Sequence, residues 1–279
     1  MSVSRQIVAA VQMNSTDDKT GNQESARSLI TEAAGRGAKL VALPELFNCL
    51  GNPDTIVSNA EPVPGPTSEL MRELARELQI TLLAGSLGER CEGDKIYNTS
   101  LLFGPTGELL AKYRKLHLFD IDLPGEVTFR ESEFMGFGDR IAVTDTNVGR
   151  LGQATCYDLR FPELFRMLVD LGAEVIVIPA AFAMATGRDH WEVLLRARAI
   201  ENQCFVIAPN QFGRHGENLQ TYGRSMIIDP WGTVLAKATD GSGIITAEID
   251  FDQLTRVRSH LPCLQHRRPL DQLSLVTKE

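Results

Sequence analysis

Short β-rich runs alternate with amphipathic helical segments from one end of the chain to the other. Strands are predicted at residues 7–13, 39–43, 81–85, 151–155, 175–179, 204–209 and 244–249, and helices at 23–36, 68–78, 162–171 and 190–201, with a short one near Asp252. Two further regions are typical of β-hairpins, 99–103 with 108–113 and 223–229 with 233–238, because each pair flanks a Gly/Pro-rich turn. Strands that alternate with helices and also form hairpins predict an α/β fold with mixed sheets.

The pattern runs without an internal repeat or a low-complexity linker, so residues 1–279 are predicted to form one domain. The segment 48–66 carries four of the 13 prolines, but strong elements frame it, and it is interpreted as a surface loop. Hydrophobic residues make up 43% of the chain, which is enough for a large core.

The formal charge of −8 argues against nucleic acid and anionic membranes as partners, since both attract positive surfaces. The N-terminus has no signal-peptide pattern, and the longest apolar run, 175–185, is too short to span a bilayer. These features predict a soluble, cytoplasmic protein. Metal-binding patterns and glycine-rich phosphate loops are missing from the sequence, so neither a metal nor another cofactor is expected.

Three chemically active side chains each follow a predicted strand: Glu45, Lys115 and Cys156. Active sites cluster at strand ends in α/β folds, so the three residues carry more weight together than apart. A cysteine between a strand and a helix lies on a tight turn near a helix N-terminus, whose partial positive charge lowers the pKa of a thiol. The N–H of Tyr157 would then face an oxyanion. The alternative for Cys156 is a buried structural cysteine.

A thiol nucleophile needs a base. His117 and His190 lie near the motif segments, but either could equally have a structural role. Glu45 is the other choice, because a carboxylate directly after an apolar strand is expected to be partly desolvated, although a solvated loop carboxylate would look the same.

Lys115 is a candidate for stabilising an oxyanion, and its ammonium group would need a carboxylate partner if it is buried. Its neighbours Lys112 and Arg114 are interpreted as surface charges of an edge strand.

The segments ALPELF, YRKLHLFD and GQATCYDLRFPELFR, around Glu45, Lys115 and Cys156, resemble the three signature segments of the nitrilase superfamily of carbon–nitrogen hydrolases. The resemblance covers essentially the whole chain in the same order. It implies that Glu45 is the general base, Cys156 the nucleophile and Lys115 the cation that stabilises the tetrahedral intermediate. A second family glutamate, which holds the lysine, is assigned to Glu131, with Glu126 and Glu133 as alternatives.

The same resemblance implies a four-layer α-β-β-α sandwich and pairing through one face into a homodimer. Later segments, including KIYN at 95–98 and LPCLQHRR at 261–268, are similar to the branch associated with hydrolysis of deaminated glutathione to 2-oxoglutarate and cysteinylglycine. The ω-amidase branch, which acts on 2-oxoglutaramate and 2-oxosuccinamate, is the alternative. A non-catalytic, partner-binding relative is a third hypothesis.

Acyl specificity is expected from the wall after the strand at 175–179, where Phe182 and Thr186 lie. Arg160 is a candidate anchor for a substrate carboxylate, because its planar guanidinium pairs well with one. A structural ion pair with Glu163 or another acid is the equal alternative for Arg160.

Overall fold

A computed structural model describes residues 4–123, 127–216 and 219–269. The strands are β1 (Arg5–Gln12), β2 (Leu40–Ala42), β3 (Thr81–Leu83), β4 (Leu87–Glu89), β5 (Tyr97–Phe103), β6 (Leu109–Arg114), β7 (Asp120–Leu123), β8 (Val127–Arg130), β9 (Val143–Thr146), β10 (Gly149–Gln153), β11 (Val175–Val177), β12 (Phe205–Ala208), β13 (Phe212–His215), β14 (Leu219–Tyr222), β15 (Met226–Ile228), β16 (Val234–Lys237) and β17 (Gly243–Asp250). The α-helices are α1 (Lys19–Gly35), α2 (Pro53–Ser58), α3 (Pro66–Leu78), α4 (Pro162–Asp170), α5 (Met184–Asn202) and α6 (Phe251–His260).

Two mixed sheets form the centre of the molecule. The first has the order β17-β1-β2-β3-β5-β4, with β6 on the other edge of β5, and the second has the order β16-β15-β12-β11-β10-β9. In each sheet three neighbouring strands run parallel, β1-β2-β3 and β10-β11-β12, and antiparallel strands extend the sheet on both sides. The parallel strands are buried on both faces, which explains their continuous apolar runs.

Three layers of apolar side chains hold the sheets and helices together. One layer lies between the sheets and includes Val8, Leu40, Val175 and Ile207. A second packs α1 and α3 on the outer face of the first sheet, and a third packs α4 and α5 on the outer face of the second sheet. The predicted four-layer α-β-β-α sandwich with mixed sheets is therefore confirmed.

Several local predictions differ from the structure. The segment 48–66, interpreted as a loop, contains the short helix α2, which Asn52 caps by accepting a hydrogen bond from the N–H of Thr55. Helix α5 begins at Met184 rather than at residue 190, which brings Thr186 into its first turn. The hairpins β7–β8 and β13–β14, whose strands have four residues each, were not predicted. Such short strands show too little alternation of apolar and polar residues to be recognised.

Lys112 and Arg114 lie on the edge strand β6, as predicted, and they also have a structural role. Both side chains are half-buried to exposed, but both pair with the buried carboxylate of Glu89, Lys112 at 2.9 Å and Arg114 at 2.8 and 3.0 Å. Burial by itself would raise the pKa of Glu89, but these charged hydrogen bonds, with one from Thr99, outweigh it and lower the pKa to about 2. The two cations thus neutralise a buried acid.

Across the described ranges, the structure holds no helix of the length and apolar character needed to cross a membrane.

Candidate active site

The carboxyl ends of parallel strands from both sheets meet at one end of the sandwich. Glu45 follows β2 by three residues, Cys156 follows β10 by three residues, and Lys115 directly follows β6. Glu131 opens a single 3-10 turn after β8. The fold therefore brings these four side chains into one buried cluster, although they are spread over more than 100 positions of the sequence.

The backbone at Glu45 is held by a close approach between two loops. A Cβ at Gly85 would lie 2.0 Å from the carbonyl oxygen of Pro44, so only glycine fits there. Leu46 adopts a positive φ of 49°, and its N–H donates to Ser86 Oγ at 3.0 Å. The Gln211 side chain donates to the carbonyl of Glu45 at 3.0 Å. These contacts fix the direction in which the Glu45 carboxylate leaves the chain.

Lys115 lies between two carboxylates. Its Nζ is 2.8 Å from Glu45 Oε1 and 2.8 Å from Glu131 Oε2, and all three side chains are at most 4% exposed. Burial favours the neutral amine, but the charges of Glu131 and Glu45 outweigh burial and hold the pKa of Lys115 well above its usual value. Burial raises the pKa of Glu131, an effect that the charge of Glu45 reinforces and Lys115 opposes. The cluster therefore favours the protonated, cationic form of Lys115 beside the two carboxyl groups.

Asn98 completes the cluster and was not singled out as a site residue from the sequence. Its Nδ2 donates to Glu45 Oε1 at 2.8 Å and to Glu131 Oε1 at 3.2 Å, so one amide bridges both carboxylates. The side chain is buried on β5, and its Oδ1 accepts no hydrogen bond from the described residues. The only sequence signal was its place in the KIYN motif.

Cys156 lies on a strained turn against Glu45. Its φ is +47°, uncommon for a non-glycine residue, and its N–H donates to the carbonyl of Pro179 at 2.8 Å. Glu45 and the N–H of Ala181 lie close enough to the sulfur to shift the pKa of the thiol, which Glu45 raises and Ala181 lowers. The N–H of Ala181 also donates to Glu45 Oε2 at 2.8 Å.

The expectation that a helix N-terminus lowers the pKa of Cys156 is wrong. The residue opens a five-residue 3-10 helix, and α4 begins only at Pro162. Burial raises the pKa of the Cys156 thiol well above its usual value, and the charge of Glu45 adds to this more than Lys115 subtracts. The resting protein therefore holds a thiol beside a carboxylate.

Asp158 ties the Cys156 turn to the Lys115 segment. Its carboxylate is fully buried and accepts from the Tyr113 hydroxyl at 2.6 Å, the N–H of His117 at 3.0 Å and the N–H of Thr155 at 2.8 Å. The ring of His117 lies 2.7 Å from Asp158 and stacks on Phe161. His117 therefore has a structural role in this network.

A narrow cleft opens from Cys156 and is lined by all four residues expected to bind substrate. These are Tyr157, Arg160, Phe182 and Thr186. Among the described residues, the backbone N–H of Tyr157 has no acceptor, and the buried Thr186 Oγ1 has no partner. The free space is about 10 Å³, roughly enough for one water molecule.

Arg160 forms no ion pair with Glu163 in the described structure, so the structural ion pair expected as an alternative is not found. Its guanidinium lies against the rings of Tyr157 and Phe182 and is 3.1 Å from His190 Nδ1. These contacts hold a cation at the cleft without neutralising it.

Of the two alternatives for the second glutamate, only Glu133 lies within the described residues. Glu133 is exposed and lines an outer compartment, and Glu126 lies outside the described residues. Only Glu131 contacts Lys115 among the described carboxylates other than Glu45.

Comparisons with known proteins identify the family of this chain. Residues 7–259 match the family model described as carbon-nitrogen hydrolase. The chain is 45% identical to deaminated glutathione amidase of Synechocystis, over 94% of this chain and 97% of the relative. It is 41% identical to human omega-amidase, with 94% of each chain covered. The crystal structure of the C. elegans NitFhit protein superposes with a TM-score of 0.89 at 39% identity, over 98% of this chain and 67% of that one. This chain belongs to the carbon-nitrogen hydrolase family.

Proposed function

We propose that this protein is an amidase that hydrolyses deaminated glutathione to 2-oxoglutarate and cysteinylglycine through a thioester on Cys156. The observation that carries the proposal is the placement of Glu45, whose carboxylate accepts a hydrogen bond from Lys115 and lies close enough to the Cys156 thiol to raise its pKa. Relatives 44–45% identical to this chain carry the name deaminated glutathione amidase.

Acylation begins with proton transfer from the Cys156 thiol to Glu45. Because the pKa of Cys156 is raised, the thiolate forms only as the sulfur attacks the amide carbonyl carbon. The C–S bond forms, and the carbonyl electron pair moves to oxygen. Lys115 Nζ and the N–H of Tyr157 stabilise this oxyanion.

Breakdown of the tetrahedral intermediate uses the same proton. Glu45, now protonated, donates it to the leaving nitrogen while the C–N bond breaks and the amine departs. Glu45 then takes a proton from water, and the hydroxide attacks the thioester. When the C–S bond breaks, Glu45 returns the proton to the Cys156 sulfur. Glu131 and Asn98 position Lys115 and Glu45 throughout.

The cleft at Cys156 suits an acyl group with a carboxylate. Arg160 supplies a cation, and the hydroxyl of Thr186 has no hydrogen-bond partner among the described residues. The first turn of the 19-residue helix α5 adds N–H groups that have no partner within the helix. A cleft with space for one water cannot admit a five-carbon acyl chain unless side chains shift. We therefore expect Arg160 to move onto the substrate carboxylate when it binds.

The second candidate function is that of an ω-amidase, because human omega-amidase is 41% identical over nearly the whole chain. Both substrates deliver the same 2-oxo acyl group to Cys156, so the acyl cleft alone does not distinguish them. The experiment is to measure kcat/KM for deaminated glutathione and for 2-oxoglutaramate on the same purified protein. A strong preference for 2-oxoglutaramate would replace the first proposal by the second.

Cys156→Ala separates an enzyme from a non-catalytic, partner-binding protein. We expect turnover to fall at least about 10³-fold with the melting temperature preserved. The matched control is Cys204→Ala, which removes another buried thiol but keeps the active-site cluster. Mass spectrometry of a quenched reaction should show an acyl adduct on the Cys156 peptide. Full activity of Cys156→Ala would refute the mechanism.

We also propose a cytoplasmic homodimer formed through the helix layer of the second sheet. Large apolar side chains are exposed on this layer, namely Met167 on α4, Leu171 directly after α4, and Val193 and Ile200 on α5. Light scattering should give about twice the 30.7 kDa of one chain. Val193→Glu should shift the mass towards one chain, and a monomeric wild-type protein would contradict the proposal.

A further inference from the structure

The cleft at Cys156 is the innermost of three adjoining compartments. Phe119 and Ala181 line both this cleft and a second compartment, which is also lined by Glu45, Lys115 and Glu131. Phe129 and Leu219 line both the second compartment and a third one at the surface. The third compartment has a volume of about 730 Å³, against about 50 Å³ for the second. Space for a substrate therefore widens outwards past the carboxylate of Glu45.

Among the described residues, the outer compartment contains one cation with no carboxylate within ion-pair distance. Arg130, at the end of β8, lines it and is exposed, and within the described residues it forms no ion pair. Asp120 lies opposite on β7, and the charge of Arg130 helps to lower its pKa, but its carboxylate accepts its hydrogen bonds from the N–H and hydroxyl of Ser132 and forms no ion pair with Arg130. Arg130 is thus available to an anion that enters from solvent.

The other ionisable groups of the outer compartment leave this role to Arg130. His215 is buried between the carbonyl of Ser15 and the hydroxyl of Thr221, at 2.7 Å from each, and burial lowers its pKa, so it is uncharged at neutral pH. Glu133 would repel an anion beside it, but its carboxylate can accept a hydrogen bond from a peptide N–H.

We propose that the outer compartment is the leaving-group subsite, which binds a peptide-like amine with its terminal carboxylate on Arg130. The inference rests on the proposed function. Glu45 must reach the scissile nitrogen, so the leaving group lies on the Glu45 side of the scissile bond, where the compartments continue outwards. A substrate with a carboxylate at each end would then contact Arg160 through its acyl end and Arg130 through its amine end.

This subsite distinguishes the two candidate substrates. Cysteinylglycine leaves with a carboxylate and a peptide bond, whereas a primary amide releases ammonia, which has no group to contact Arg130. Binding to Arg130 therefore contributes to catalysis only when the leaving group is an extended, anionic amine. For a hydrogen bond between the guanidinium of the exposed Arg130 and a carboxylate, we expect a contribution of roughly 10-fold to kcat/KM.

The experiment compares Arg130→Gln with the wild type on three substrates: deaminated glutathione, its C-terminal glycinamide analogue and 2-oxoglutaramate. We expect kcat/KM for deaminated glutathione to fall about 10-fold, mainly through KM, and 2-oxoglutaramate to change less than about twofold. On the wild type, kcat/KM for the glycinamide analogue should be lower than that for deaminated glutathione by about the same factor. Arg130→Gln should not lower kcat/KM for the analogue any further. Arg140→Gln is the matched control, because Arg140 is exposed in a different groove, beside Lys112 and Arg114.

The outcomes separate the two proposals. Equal kcat/KM of Arg130→Gln and wild type for deaminated glutathione would overturn the subsite and leave the proposed function standing. An additional loss on the glycinamide analogue would also overturn the subsite, since Arg130 would then act on something other than the carboxylate. Failure of the wild type to hydrolyse deaminated glutathione would overturn the proposed function itself.

Discussion

The backbone N–H of Ala181 donates to Glu45 Oε2 at 2.8 Å, and this contact joins the two sheets close to Cys156. Glu45 follows β2 of the first sheet, and Ala181 follows β11 of the second sheet. Lys115 and Asn98 take the other oxygen of the same carboxylate, each at 2.8 Å. Glu45 is therefore oriented on both oxygens, with Oε2 turned towards the sheet that carries Cys156.

Asn98→Ala should lower kcat without a large change in KM. The variant removes an amide that contacts both Glu45 and Glu131, so the proposed general base loses one of its orienting donors. We expect a fall of roughly 10- to 100-fold in kcat, measured at saturating substrate. Asn22→Ala is the matched control, since Asn22 is a buried asparagine whose amide donates to backbone carbonyls away from the site. A kcat equal to that of the wild type would contradict the role assigned to Asn98.

Asp158→Asn should destabilise the protein and reduce activity together. The carboxylate accepts hydrogen bonds from both the Cys156 turn and the Lys115 segment, and an amide would turn two hydrogens towards those donors. We expect the free energy of unfolding to fall by about 2–4 kcal/mol in urea titrations.

Tyr113→Phe is the control for Asp158, because it removes a single hydrogen bond and keeps the negative charge. It should cost about 1 kcal/mol of unfolding free energy. If Asp158→Asn were as stable and active as the wild type, the network would not be what positions Cys156 and Lys115.

Alkylation of Cys156 by iodoacetamide should follow a titration midpoint above that of an ordinary thiol. Burial raises the pKa of Cys156, and Glu45 raises it further, so little thiolate exists at neutral pH. Glu45→Gln removes the neighbouring negative charge but leaves Lys115, and the midpoint should therefore move to lower pH. The pH dependence of the alkylation rate, followed by mass spectrometry, measures both midpoints. An unchanged or higher midpoint in Glu45→Gln would refute this electrostatic account.

Glu89 should make stability depend on pH in the acid range. The pKa of Glu89 is about 2 in the folded protein, against an ordinary value of 4.5 that applies to the unfolded chain. The charge of Glu89 therefore contributes fully to the free energy of unfolding above about pH 4.5, and this contribution is lost as the pH falls towards 2. We expect Glu89→Gln to cost on the order of 2–3 kcal/mol at pH 7 and progressively less below pH 4.5. Urea unfolding at a series of pH values measures this difference.

Glu69→Gln is the control for Glu89, because Glu69 pairs with Arg72 on the exposed face of α3. That pair should contribute no more than about 0.5 kcal/mol at any pH. A Glu89→Gln difference that stayed constant from pH 7 to pH 3 would show that Glu89 acts through packing rather than through its charge.

The sequence alone determined the chemistry at the strand ends and the class of fold. Glu45, Lys115 and Cys156 each follow an apolar run, and the alternation of strands and helices is a local property that neighbouring residues set. The family resemblance of the three segments supplied the four layers and assigned Glu131, which the structure places against Lys115.

The tertiary structure alone decided how those residues are supported and how reactive they are. Asn98 lies 53 positions from Glu45 and 33 from Glu131, and no local pattern marks a contact at that distance. The pKa of Cys156 was expected to be low from its place before a helix, but burial and the charge of Glu45 raise it. Electrostatics and cavity shape depend on what surrounds a side chain in space, and that environment exists only after both sheets have packed together.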